Sequence, residues 1–576
     1  MIFLKQRRPA IFCNFGAFRL EMIKKLPKTF GYLLGALLLI NLVQAHFTQL
    51  IFDEAYYWYY SQQMAWGYFD HPPMVALMVK IGSLFLPGEL GVRFMSCILS
   101  AATFVVLWAT VDDPRKSRHV PHFFVLVFSM TLMNAYGFFT LPDTPLLFFT
   151  ALFLWCYKKF LQAPSIAISI GMGVVMACLM YSKYHAVLVI FFVLLSNLKL
   201  VFNKRAWLAV AVALLCYTPH FVWLFQNDFV SIKYHLYERP NRAYDFADFT
   251  LGYFVNLVAI FGLTFPWIYK SLFKARPTSP FERALVFLVY GVLLFFFISS
   301  FNRRIQTQWI IVISIPMAVL AFQYLLTNAN AKKWIYRTGL VNIAILFLLR
   351  IGLVYGQFFP IVYESHGNRE WVESLESQIG DMPVVFENSY RNAPMYAFYS
   401  GNKSFSLNNI MYRQNQYTID DSESKVQHQK ILYVSKFLKR GDISYERPDG
   451  TINYGVYMED FESYRKLWCT VPEEDISLKA DQNLTLEVYN PYDTDIPLDK
   501  IRFGIAYTNR YKQVKELLPL TAQVLDKGTE SLKKGDTTKF SFTLPRPKVP
   551  DPGYFKVSVS ENGLYYGLNS KNIKLN

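Results

Sequence analysis

The chain has 576 residues, 53% of them hydrophobic and 17% aromatic, which is too long for one domain and too apolar for an ordinary soluble enzyme. Its 58 Lys and Arg against 42 Asp and Glu give a net charge of +16. In the first 360 positions most of that positive charge lies in short loops between apolar runs, the pattern of a polytopic membrane protein, so nucleic acid is excluded as the partner.

Residues 1–21 are weakly patterned, and Met22 offers an alternative start. The run TFGYLLGALLLINLVQAHF (29–47) follows Lys24, Lys25 and Lys28; it is long enough to span a bilayer, and no small-residue cleavage site follows it. Ten further candidate spans lie near 89–110, 120–139, 141–157, 164–182, 185–201, 206–225, 250–269, 283–300, 307–326 and 338–356. The run 73–87 contains Lys80 and is too short, so it reads as an interfacial helix. One set of loops is basic (DDPRKSRH, YKKF, NLKLVFNKR, YKSLFKARP, NANAKKWIYR), and the other carries FDEAYYWYY…GYFDHPP, LPDTP, SKYH, the stretch 227–249 and SSFNRRIQTQ. By the positive-inside rule the basic loops and the N-terminus are cytoplasmic, and eleven spans put the C-terminus outside.

From about 357 the composition turns polar. NREWVESLESQI reads as a helix, and MPVVFENSY and KILYVSKF as short strands, which suggests a small α/β domain. Beyond 475, NLTLEVYN, RFGIAYTN, TKFSFTLP and YFKVSVSE alternate apolar and polar with Pro, Gly and Asp turns between, as in an Ig-like β-sandwich. The expected organisation is a polytopic α-helical membrane domain over 22–356, an α/β domain over 357–470 and a β-sandwich over 471–576. Of six cysteines only Cys469 lies in the polar part, so no disulfide forms within it, and no paired-Cys or Cys/His zinc spacing occurs.

The stretch 52–73, FDEAYYWYYSQQMAWGYFDHPP, holds Asp53, Glu54, Asp70 and His71 and no Lys or Arg. Carboxylates near a helix start are often interfacial caps. Three acids and a histidine without a basic partner in their own loop point instead to a metal cation or to proton chemistry. Asp143 in LPDTP lies at the outer end of the fourth span; it reads either as an N-cap or as an intramembrane acid that needs a partner. Lys183 in YSKYH is either a snorkelling lysine or a fixed cation for a phosphate, and Arg303 and Arg304 in FNRRIQTQW serve the same end from another outer loop. The stretch KYHLYERPNR adds His235, Glu238, Arg239 and Arg242, each on its own a solvated loop residue, with His235 or Glu238 as the alternative metal ligand. The aromatics from Tyr56 to Phe69, Tyr57 among them, form an interface belt or a surface on which sugars and lipids stack.

Taken together, DEAYYWYYSQQMAWGYFDHPPMVALMVK, GVRFMSCILSAATFVVLW, LPDTPLLFF and YSKYHAVL resemble the bacterial integral-membrane glycosyltransferases of the C-type fold. Within these, the chain looks like the dolichyl-phosphate-mannose-protein mannosyltransferase superfamily, in the branch that includes the lipid A aminoarabinose transferase. The resemblance covers roughly residues 25–355. It implies a multi-pass protein of the bacterial inner membrane that takes sugar from a polyprenyl-phosphate donor. The sugar passes to a lipid, glycan or protein acceptor on the periplasmic side, with inversion. It makes Asp53 the general base, supported by Glu54, with Asp143 as a second acid near donor or acceptor. It makes Asp70 the ligand of a divalent cation near the lipid phosphate, with His235 as a second ligand, and His71 and Lys183 phosphate contacts; Arg303, Arg304 and Tyr57 join them as substrate contacts on the reading of the loops alone. Two departures stand out. The aminoarabinose transferase pattern has Arg where this chain has Tyr56, and Lys where it has His71, which argues against aminoarabinose or lipid A as the assigned substrates. A lipid or glycan transporter, or a non-catalytic membrane scaffold, is the alternative; the clustering of charged motifs at one face, with no internal repeat, favours the enzyme.

Overall fold

In the computed structural model, residues 26–358, 362–474, 476–478, 481–526 and 528–576 are described; Cys13, Met22, Lys24 and Lys25 lie outside them. The helices Lys28–Phe47, Gly88–Thr110, Lys204–Gln226, Pro280–Ser299, Thr307–Thr327 and Ala329–Val354 are long and apolar enough to cross a membrane. A further pair, Ala247–Ala259 and Gly262–Lys274, bends by 92° at its break. Of the eleven expected spans, six, or seven with the bent pair, meet that length and apolarity among the described residues. The other four are helical but short, interrupted or less apolar. The run 120–139 splits into Val120–Phe128 and Thr131–Ala135 around Ser129 and Met130. Helix Ile166–Ser182 has 17 residues, Ala186–Leu195 stops before Ser196 and Asn197, and Asp143–Gln162 carries Lys158 and Lys159 near its end. The run 73–87 forms the 12-residue helix Met74–Phe85.

Buried polar side chains hold these breaks in place. Asn342, on the last long helix, donates from Nδ2 to the Ser129 carbonyl at 2.6 Å and accepts from the Leu263 amide at 3.3 Å. One amide thus satisfies backbone freed at two separate interruptions, as a low-dielectric interior requires. Gly262, at the 92° bend, has φ +56, and a Cβ there would stand 2.4 Å from Asn342 Nδ2.

Beyond the membrane helices, a five-stranded sheet is built from β1 (Val384–Glu387), β2 (Ser404–Leu407), β3 (Ile431–Ser435), β4 (Ile443–Glu446) and β5 (Ile452–Met458), in the order β2-β1-β3-β5-β4. β1 runs parallel to β2 and β3, whereas β5 is antiparallel to β3 and β4. Helix Asn392–Ser400 packs on helix Phe52–Gln62, and a single buried cluster runs from Tyr56, Tyr57 and Tyr60 to Trp371, Val385 and Tyr396. Buried apolar area is the main favourable term in such packing, so the loop after the first long helix and the α/β domain form one body. Two four-stranded antiparallel sheets make up the sandwich: one holds Val514–Leu520, Ile501–Thr508, Tyr554–Glu561 and Ile573–Lys574, the other Ala522–Val524, Thr537–Thr543, Asn483–Tyr489 and Trp468–Thr470. The edge strand at 468–470 means that the sandwich starts slightly before position 471.

Gly262→Ala forces an L side chain into a left-handed backbone and against a hydrogen-bonded amide. The expected cost is about 1–3 kcal/mol, read as a lower unfolding midpoint in detergent; an unchanged midpoint would show that the bend does not rest on this residue.

Candidate active site

The adjacent acids Asp53 and Glu54 start helix Phe52–Gln62, and successive positions on a helix face different ways. Glu54 turns inward and is fully buried. Its carboxylate accepts from Arg93 Nε at 2.8 Å and Nη2 at 2.5 Å, from the Thr140 amide at 2.8 Å and from the Ile51 amide at 3.3 Å. Arg93, also fully buried, spends its remaining donors on the carbonyls of Ala45, Thr48 and Gln49. The expectation that this loop's acids lack a basic partner therefore fails for Glu54: the partner sits in the next long helix. With its oxygens committed and no place in the cavity wall, Glu54 is a structural anchor and leaves the catalytic set.

Asp53 faces a cavity of about 1030 Å³. The same cavity is lined by Tyr57, Asp70, His71, Asp143, Lys183, His235 and Arg303, so the fold brings together eight of the ten residues given site roles above; Glu238, the other metal-ligand candidate, lies outside this wall. Arg304 is exposed and, like Glu54, is not in the wall.

The three acids in the wall differ in their engagement. Asp143 is the first residue of its helix, the N-cap position being taken by Pro142, and it pairs with Lys183 Nζ at 2.7 Å, both side chains being buried. Neither cap nor snorkelling lysine describes them: each is the other's partner. Asp70 accepts from Tyr60 Oη at 2.5 Å and from Arg413 Nη1 at 3.3 Å. Burial disfavours its charge, but Arg413, His71, the Tyr60 hydrogen bond and His235 outweigh this and hold the carboxyl below its usual range. Asp53 has no hydrogen bond or ion pair among the described residues. Burial, then repulsion from Glu364 and Asp70, raises its pKa to about 6 against the pull of Arg391 and Arg413.

His71 is pushed down to about 3, by burial first, with Lys183, His235 and Arg413 adding to it and Asp70 opposing. It is therefore a neutral imidazole at neutral pH, able to donate one N–H without adding charge. His235 Nε2 lies 3.1 Å from the Asp70 backbone carbonyl, away from the carboxylate, and its own carbonyl accepts from Arg303 Nη1 at 3.3 Å. The donors present do not fit the divalent cation expected at Asp70 and His235. Among the described residues no group of three or more His, Cys, Asp or Glu side chains converges to hold a metal, and a guanidinium already faces Asp70.

Several wall residues carry no sequence signal. Tyr390, Arg391 and Arg413 come from the α/β domain. The Tyr390 ring lies 4.9 Å from that of Tyr56, tilted by 59°, and the Arg413 guanidinium sits 4.3 Å from the Tyr390 ring centre. Where the resembled pattern places an arginine, this chain has Tyr56, and an arginine from another domain stands one ring away. Arg239, Arg303 and Arg391 also line the cavity, with no carboxylate within 4 Å among the described residues. Tyr136, Tyr184, His185 and Trp309 add further rings to the wall, beside Tyr234, Phe295 and Phe296.

The family described as Dolichyl-phosphate-mannose-protein mannosyltransferase matches residues 70–223. The fold is similar to that of ArnT from Cupriavidus metallidurans, solved bound to undecaprenyl phosphate, with a TM-score of 0.53 at 14% identity over 74% of this chain and 97% of that one. The chain carries the fold of the C-type membrane glycosyltransferases. Two relatives from Rhizobium johnstonii share sequence with it. One is a lipid A galacturonosyltransferase, RgtD, 23% identical over 48% of this chain and 60% of the relative. The other is a lipopolysaccharide core galacturonosyltransferase, RgtA, 24% identical over 50% and 63%. The chain thus spans less than two thirds of the length of either relative. In the C-type frame, the cavity sits where the loop after the first long helix meets the α/β domain.

Two outcomes follow. Arg93→Met strands a buried carboxylate and is expected to cost about 3–5 kcal/mol, of which Arg93→Met combined with Glu54→Leu recovers a large part; chemical denaturation in detergent reads both. Asp53 has a folded pKa of about 6 against 3.8, so the folded state holds the proton more tightly and loses stability as pH rises from about 4 to 6. Asp53→Asn is then more stable than wild type above pH 6, by about 2–3 kcal/mol at most, and equal to it near pH 4.

Proposed function

We propose that the protein transfers a sugar from a polyprenyl-phosphate donor to a hydroxyl of a lipid, glycan or protein acceptor, with Asp53 as general base and inversion at the anomeric carbon. The observation that carries this reading is one uncommitted carboxylate of raised pKa facing a cavity whose wall holds three guanidinium groups without carboxylate partners among the described residues. The acceptor oxygen attacks the anomeric carbon as its proton passes to Asp53. The bond from that carbon to the phosphate oxygen breaks, and the lipid phosphate leaves with the electron pair. A base whose pKa lies near working pH is mostly deprotonated yet still basic enough to help. The departing phosphate gains charge, which Arg239, Arg303 and Arg391 balance without moving, the condition under which fixed charges lower a barrier most. His71 donates a neutral hydrogen bond to a phosphate oxygen. Lys183, already paired with Asp143, positions more than it neutralises. Tyr57 and Trp309 offer ring faces to the sugar.

The same reading places the enzyme in the bacterial inner membrane, with the N-terminus cytoplasmic and the cavity, the α/β domain and the sandwich on the periplasmic side. The relatives' substrates suggest a cell-envelope lipid or glycan as acceptor. The reading assigns no step to a metal, since the Arg413 guanidinium stands beside Asp70, where the cation was expected.

The test is sugar release from a radiolabelled polyprenyl-phosphate hexose by the full chain in detergent. Asp53→Asn is expected to lower the rate by about 100-fold or more while donor binding stays within about twofold. The wild-type rate should rise with pH through about 6. Equal turnover by the two proteins would remove Asp53 from the mechanism.

A further inference from the structure

A second cavity, about 640 Å³, lies between the segment 227–240, the segment 410–419 and the sandwich. It shares Tyr234, Pro240 and Arg413 with the cavity that holds Asp53. Six lysines and two arginines line it against two carboxylates, Asp228 and Glu238. Asp228 is already taken by Lys233 and, at 3.4 Å, by Lys571. Glu238 accepts from Asn572 Nδ2 at 2.5 Å. Lys512, Lys515 and Lys556 meet no carboxylate within 4 Å among the described residues.

Two of these lysines are held at a cost. Lys512 sits in the turn between Ile501–Thr508 and Val514–Leu520 with φ +63, a region that favours Gly or Asn and is strained for a long side chain. That turn is docked, since the Tyr511 carbonyl accepts from the Asn241 amide at 3.0 Å. Lys556 lies on the outer face of strand Tyr554–Glu561 between the core residues Phe555 and Val557. Burial depresses its pKa, the neighbouring Lys512 depresses it further, and Glu238 opposes. Charges crowded in this way gain most when an anion arrives. Tyr412 and Trp468 add ring faces to the same wall.

We propose that this cavity binds a multiply charged anionic saccharide, phosphorylated or carboxylated, and so forms the acceptor subsite of the transfer reaction. Like charges that repel one another are matched by several anionic groups on one ligand, and the rings suit sugar faces. The shared wall puts such a saccharide beside the donor cavity. The volume falls within the range of small-ligand sites. This inference rests on the proposed transfer for the word acceptor, but the binding itself needs no turnover.

The full chain in detergent is titrated with a fluorescently tagged tetrasaccharide bearing two phosphate monoesters and with the same saccharide after phosphatase treatment, at low and high salt. The phosphorylated form should bind at least about tenfold more tightly, with affinity falling as salt rises. Lys512→Ala/Lys515→Ala/Lys556→Ala should lose about tenfold or more, and Lys556→Gln alone severalfold, while binding of undecaprenyl phosphate is unchanged. Equal affinity for the two saccharides, or unchanged affinity in both variants, overturns the proposal. So does complete displacement of the saccharide by phosphatidylglycerol micelles, which would assign the cavity to a lipid headgroup. A failed transfer assay alongside intact saccharide binding would count against the proposed function and leave this site standing.

Discussion

The arrangement depends on the buried pair of Glu54 and Arg93. Arg93 gathers the carbonyls that end the first long helix and clamps Glu54, so the start of helix Phe52–Gln62 has one possible rotation. With Glu54 pointing inward, Asp53 points into the cavity. A buried ion pair of this kind adds little net stability over an apolar pair, but removing one partner is costly. Its effect is to fix geometry: two adjacent acids receive opposite roles from a single contact.

A second constraint is the shared core of loop and α/β domain. Tyr59 donates to Asp420 at 2.6 Å and stacks on Tyr417 at 4.3 Å, and the Gln416 amide donates to Tyr56 Oη at 2.7 Å. Those contacts hold Arg413 against Asp70 and bring Tyr390 and Arg391 to the cavity wall. The polar region is thus part of the site as well as a cover. A carboxylate that attracts a divalent ion when solvated is here met by a guanidinium, whose planar donors suit both carboxylate and phosphate oxygens.

Much of the wall is legible in the sequence. Asp53, Asp70, His71, Asp143 and Lys183 sit in short motifs at the ends of apolar runs, and alternation of loop charge groups them on one side. The role of Glu54 is not legible, because its partner Arg93 lies 39 positions away inside an apolar helix and reads there as an isolated charge. Arg413 and Asp70 are 343 positions apart, and no periodicity links them. Apolar run length does not show where a helix is interrupted: an unbroken run of apolar residues does not register backbone breaks such as those near Ser129 and Gly262, which Asn342 on a distant helix makes tolerable. The two polar domains are recognisable from strand alternation, whereas their contribution to the site depends on tertiary packing alone.

The central claim is that Asp53 is held uncommitted in a low-dielectric cavity. Infrared difference titration tests this most directly, with the carboxyl band assigned as the one missing from Asp53→Asn. The account predicts that this band titrates near pH 6, and moves lower when Glu364 is replaced by Gln, because one source of repulsion is gone. A midpoint near 4 would contradict it, placing Asp53 in open water like any interfacial carboxylate.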